Sequence, residues 1–389
     1  MSSPVSLQLR PWLYIALTMC LAIVMAWLIL NPIWSAYSPP FLFPKVSPPI
    51  TAPVDSVFYI ENAERGYEWH TRDPLSLWFH PLLSTILAAM PAWLPLNFWL
   101  WLLSLAFAVG ALLFVFRFAS TIHESSRFSP CAIMLCLIAP GGLGLATGNA
   151  EIPCLFFTTA LLLSVLCWHN WGVTGACGVA AVLTKPNALY MVPVLLVYLA
   201  WAVRCGDKDL RRHSTIGITA ILATWFLWMG IVGWQTGQLD AYWASRELSR
   251  SYAPGNAWAF FQEMLSAFIY TGDIREMVRF TTALVIPVVN MVILGLAPFR
   301  RERDRYAMAV GNLAMLVIGL YMGNPNKIIV YSTTLPGHFA AHMMLIQSLA
   351  TQLRVRPGVG SLSALALYGL YCAALLVVYV LGTPLAWYY

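Results

Sequence analysis

Apolar stretches about as long as a bilayer core is thick recur along this chain from end to end, and they limit its fold more than any other feature. A helix needs about 20 apolar residues to cross the hydrocarbon core. Runs near 12–30, 97–117, 130–146, 152–168, 172–184, 187–203, 214–234, 278–298, 306–322, 333–350 and 361–381 meet or approach that length. In lipid the backbone must satisfy its own hydrogen bonds, so each run reads as a helix. The alternation of a membrane barrel is missing. Only 10% of the residues are charged, against about 25% in a soluble domain, which excludes a water-soluble globule. The expected fold class is an all-α polytopic membrane protein. It has about eleven transmembrane helices and short interfacial helices in its outer loops, as a single domain over 1–389. Pro11 to Leu30 reads as a retained first helix, because "NPIWSAYSPP" follows it where a signal peptide has a cleavage site. Span 172–184 is too short to cross alone and must be tilted, irregular or shielded.

Charge orients the chain. The loops "RCGDKDLRRH" (204–213), "RRERDR" (300–305) and "RVR" (354–356) are densely basic and therefore cytoplasmic. "FHPLLSTILAAMPAWLP" (79–95) reads either as a short span or as a helix lying in the outer interface; the interfacial reading is adopted. It leaves thirteen Lys/Arg and five acids inside, with nine Lys/Arg and eleven acids outside. An outer loop has no topological need for cations, so those nine ask for another reason. The two largest outer segments are 31–96 and 235–277. Despite a net charge of +6, the basic residues are dispersed and form no patch, so no nucleic-acid partner is expected. The eight cysteines lie in or beside apolar runs, without zinc or disulfide spacing, and read as small packing residues.

The first outer segment, 31–96, holds "VDSVFYIENAERGYEWHTRDP" (54–74), a cluster of ionisable groups in an oily chain. Asp55 stands before a helix expected over 56–65, where it would serve either as an N-cap or as part of a polar cavity. Glu61, Glu64, Arg65, Arg72, Asp73 and His80 follow closely, which favours a cavity.

This stretch resembles the "WDsxxYxxIAexGY" signature of the GPI second mannosyltransferase family and its bacterial relatives, membrane glycosyltransferases of the GT-C superfamily. "FHPLLSTILAAMP" resembles that family's "F.PLyPll" segment. "GNAEIPCLFFTTALLLSVL" (148–166) resembles "ysESlFlllslla", with Glu151 at the Glu. "WGVTGACGVAAVLTKPNALYMVPVLLV" resembles "wwlAGllaglatltRptGllllpll", with Lys185 at the Arg. "GQLDAYWASRELSR" resembles "GdplaFlraQxxWxR", and "KIIVYSTTLPGHFAAH" resembles "s..RYllplfPlf" more loosely. The matches run in one order from 55 to 350. Val54 departs from the Trp, Asn62 interrupts "IA", and Lys185 replaces Arg. A neighbouring GT-C group, the polyprenyl-phosphomannose-dependent bacterial enzymes with "GQ.N", is similar to "GNAE" as well.

The resemblance implies transfer of a hexose, mannose first, from a polyprenyl-phosphate sugar to a lipid-linked or cell-surface glycan acceptor. The reaction lies on the extracytoplasmic face, with a bacterial inner membrane expected. It needs a carboxylate to take the acceptor's proton, cations for the leaving phosphate and a groove for the polyprenyl tail. The resemblance assigns Asp55 as base, acting with inversion. Arg246, Arg250, Lys185, Lys327 and Arg72 are the candidate phosphate ligands. Glu151, Glu61, His80 and Asn187 are the candidates for the sugar or acceptor. Plain readings stand beside these. Arg246 and Arg250 share a helix face at i, i+4, where like charges repel. Lys185 is either a functional cation at membrane depth or a structural partner of Glu151. Glu151 suits a helix start, and Lys327 can snorkel. Trp69, Trp78, Tyr242 and Trp243 are either interfacial belt residues or stacking faces for sugar. No cofactor is expected. His70, His80, His338 and His342 invite a metal, but no third ligand has matching spacing. The rival is a transporter or flippase of a lipid-linked saccharide, against which stands the lack of a second copy of 54–74.

Overall fold

Proline and polar caps break the apolar runs into helices at the expected places. The computed structural model describes residues 54–67, 77, 80–123, 150–238, 240–242, 261–262, 265–266, 268–269, 274–321, 335–355, 358, 360 and 362–371. Its helices are α1 (Val54–Arg65), α2 (Pro81–Ala88), α3 (Leu96–Ile122), α4 (Glu151–Leu163), α5 (Trp171–Thr184), α6 (Met191–Cys205) and α7 (Lys208–Thr236). They continue as α8 (Ile274–Leu296), α9 (Glu302–Tyr321), α10 (Pro336–Val355) and α11 (Leu362–Tyr371). Among the described residues, four helical stretches are long and apolar enough to cross a bilayer: Leu96–Ile122, Glu151–Trp168, Pro186–Cys205 and Lys208–Thr236. This is an integral membrane protein. The expected spans 12–30 and 130–146 lie outside the described residues, as does 361–381 beyond Tyr371. The segment 79–95 holds only the eight-residue α2, about 12 Å long and unable to span a core of about 30 Å.

Local chemistry explains the breaks. α4 widens into a π segment, Ser164–Trp168, that closes on His169 in the left-handed conformation. Asn170 then caps α5, its side chain accepting from Val173 N at 3.1 Å, as a short polar residue does at an N-cap. Pro186 ends α5: the residue before a proline is pushed out of the helical region, and Lys185 is extended (φ −159°, ψ 140°). A 3-10 turn, Pro186–Tyr190, leads into α6. Between α6 and α7, Gly206 takes φ +72°, where a side chain would be strained. Asp207 caps α7 through Leu210 N at 2.9 Å.

Eight of the described helices pack in a closed circuit. α3 lies on α4, α4 on α5, α5 on α7, α7 on α6, α6 on α9, α9 on α8, α8 on α10, and α10 returns to α3. Small residues bring α5 and α7 close, as membrane helices require; a Cβ at Gly178 would stand 3.1 Å from Ala220 Cβ. Phe226, Leu227, Trp234, Val288, Val292 and Leu296 are exposed on the outside of the circuit, where lipid would meet them. At one end, Arg300 N donates to Ile122 O (2.7 Å), tying α3 to the basic turn before α9. Toward the other end, α1 and α2 form a small platform against α3, and α2 also packs on α5. A satellite core of Tyr59, Leu83, Leu87, Leu100 and Ala150 holds this platform down. Ala150 is the residue before Glu151, so the platform rests beside the start of α4.

Candidate functional site

Beside the platform, the breaks at both ends of the α4–α5 hairpin bring a buried cation and a buried anion together. Lys185 Nζ donates to Glu151 Oε1, and the two residues are 6% and 7% exposed. Glu151 is the first residue of α4, where the exposed N–H groups favour an acid. Lys185 reaches it because Pro186 turns the backbone out of the helix. A lysine at membrane depth costs roughly 2.5–3.5 kcal/mol on insertion scales, and its carboxylate partner offsets that cost. Of the two readings of Lys185, the geometry shows the partnership with Glu151, made from the C-cap of α5.

Other polar groups gather here. Asn187 is buried in the 3-10 turn, two residues past Lys185. Cys154, in the first turn of α4, lies within electrostatic reach of both charges. The Tyr190 hydroxyl is buried near Cys154 and Thr158, and Thr158 Oγ1 donates to Cys154 O at 2.7 Å.

His80 joins the platform to this cluster. It is fully buried, with Nδ1 bonded to Val182 O on α5 and Nε2 lying 3.3 Å from Tyr242 Oη. Its ring stacks on Trp225 at 5.8 Å and 23°, and Trp228 is equally near. Tyr67 meets Trp228 edge-on at 5.6 Å. Burial pushes the Tyr67 phenol up, and the Ser84 and Asn62 side chains offset part of that.

The structure thus brings Lys185, Glu151, Asn187 and His80 into one neighbourhood. α1 begins at Val54, so Asp55 is the second residue of the helix, in its first turn and not at its N-cap. Glu61 is exposed on α1. Arg72, Arg246, Arg250 and Lys327 lie outside the described residues, as do Trp69, Trp78, Trp243 and His70. Tyr242 is fully buried among aromatic rings. Trp225 and Trp228 were not among the candidates; their i, i+3 spacing, which puts both on one face of α7, was the available signal. Among the described residues no group of three metal-ligating side chains occurs.

No known protein-family profile matches the sequence, and no curated protein does. Solved structures do share its fold. The archaeal oligosaccharyltransferase AglB from Archaeoglobus fulgidus, in complex with an inhibitory peptide and a dolichol-phosphate, matches with a TM-score of 0.51 at 13% identity. The match covers 98% of this chain and 56% of that one, so the chain spans little more than half the length of its neighbour. At 13% identity the likeness is one of fold alone.

Proposed function

We propose that this chain is a membrane glycosyltransferase that moves one hexose from a polyprenyl-phosphate carrier to a lipid-linked or cell-surface acceptor. The sugar is mannose by the resemblance of its motifs, and the reaction lies on the extracytoplasmic face. The observation that carries the reading is the buried Lys185–Glu151 pair, set beside the α1–α2 platform. Two things support it further: the ordered motifs from Asp55 onward, and a fold shared with an oligosaccharyltransferase whose structure holds a dolichol-phosphate.

In the proposed reaction the acceptor hydroxyl attacks the anomeric carbon of the donor sugar. The bond from that carbon to the phosphate oxygen breaks, and the polyprenyl phosphate leaves with the electron pair. The Asp55 carboxylate takes the hydroxyl proton, and the anomeric centre inverts. Lys185, held beside Glu151, is proposed as a cation facing the leaving phosphate. Arg246, Arg250, Lys327 and Arg72 are proposed to share that role, while Glu61 and Asn187 face the sugar or acceptor. No cofactor enters.

The test uses purified protein in detergent, radiolabelled polyprenyl-phosphate hexoses and native membrane lipids as acceptor. Transfer by wild type that collapses in Asp55→Asn is the expected result. Transfer that survives the substitution moves the base to Glu61 or Glu151. No transfer from any donor by folded protein overturns the reading and favours the transporter.

A further inference from the structure

Within an α-helix the Val182 carbonyl would accept from the N–H four residues on, but that residue is Pro186, which has none. His80 Nδ1 supplies the missing donor. The proline that turns Lys185 toward Glu151 therefore also frees the carbonyl that holds the platform. A carbonyl only accepts, so Nδ1 carries the hydrogen. In the neutral ring Nε2 then accepts from Tyr242 Oη–H at 3.3 Å. Trp225 and Trp228 enclose the ring, and Tyr242 packs edge-on against Trp225 at 5.4 Å. One imidazole thus joins three parts of the chain: the residue before α2, the end of α5 three residues from Lys185, and the start of the second outer segment.

We propose that His80 is a positioning residue for sugar transfer, a latch that sets the register between the α1–α2 platform and the Lys185–Glu151 pair through the carbonyl that Pro186 leaves unpaired. The role rests on the glycosyl-transfer reading above. His80 was a candidate for contact with sugar or acceptor; both of its nitrogens are engaged by protein groups, so its influence reaches the substrate through the elements it holds. The base stands on α1, and a misplacement of about 1 Å between reacting groups costs roughly 10²-fold in rate.

Two measurements test this. The first is a stability cycle by thermal unfolding in detergent, using His80→Phe, Pro186→Ala and the double variant. Phe fills the cage without a donor, and Ala at 186 restores the N–H for Val182. The latch requires coupling: His80→Phe lowers the unfolding midpoint in the wild-type background and much less in Pro186→Ala. Additive effects overturn it. The second compares sugar transfer with binding of the bare polyprenyl phosphate. His80→Phe is expected to lose about 10²-fold in kcat with carrier affinity retained. His80→Asn, whose amide can still donate to Val182 O, is expected to recover most of that rate. Wild-type turnover in folded His80→Phe overturns the positioning role. So does equal loss in both variants in step with their stability, which marks a merely structural residue. A wild type that transfers no sugar removes the transfer reading and the positioning role together, whatever the cycle shows.

Discussion

Lys185 and Glu151 compensate each other's charge where they are buried. Removing one partner of a buried pair leaves an uncompensated charge and costs roughly 3–5 kcal/mol, whereas replacing both by apolar residues of similar volume is often neutral. Glu151→Gln is therefore expected to lower the unfolding midpoint in detergent strongly. Glu151→Leu with Lys185→Met is expected to restore it, while binding of radiolabelled polyprenyl phosphate is lost with the lysine. Wild-type binding in that double variant would take Lys185 out of the phosphate site. A second titratable group acts at this scale. The Tyr67 phenol is pushed up by burial, so the folded chain holds its proton where the unfolded chain gives it up. Stability from this group is complete below the ordinary phenol value of about 10 and falls as pH rises beyond it. Tyr67→Phe should flatten that alkaline limb; an unchanged limb would assign it to other groups.

Among the elements, α5 matters most, because its two ends set the inner turn and the buried cation. Its start depends on Asn170, and Asn170→Ala is expected to cost about 1 kcal/mol, as lost caps do. Its packing depends on Gly178, where a Cβ would already crowd Ala220. Gly178→Leu should push α5 from α7, lowering both the unfolding midpoint and sugar transfer; a variant as stable as wild type would show that the contact yields. The length of α5 was readable as a short apolar run, and fourteen residues reach only about 21 Å. The shielding that such a short helix needs comes from α4, α7 and α2. The π segment before it left no mark in the pattern of apolar residues, because one extra residue per turn changes hydrogen bonding without changing polarity.

For the whole molecule, the charge bias predicts that the turn after α6 lies in the cytoplasm. Cys205, exposed beside Gly206, should therefore react with a membrane-impermeant maleimide only after cells are permeabilised, with Cys205→Ser as control. Labelling of intact cells would invert the topology. The helical class and most limits of the described helices were decided by the sequence alone, because a bilayer admits few alternatives for an apolar run and proline and asparagine act on their own neighbours. Asp55 and Glu151 stood out for a related reason: an acid in an oily chain needs an explanation wherever the chain goes. The sequence could not decide that α5 packs on α7, or that α10 closes the circuit on α3. Nor could it decide that His80 completes a carbonyl 102 residues away. Those choices belong to the tertiary structure, because helix adjacency in a membrane depends on which small residues meet and which polar groups find partners, and neither is local to any stretch of chain.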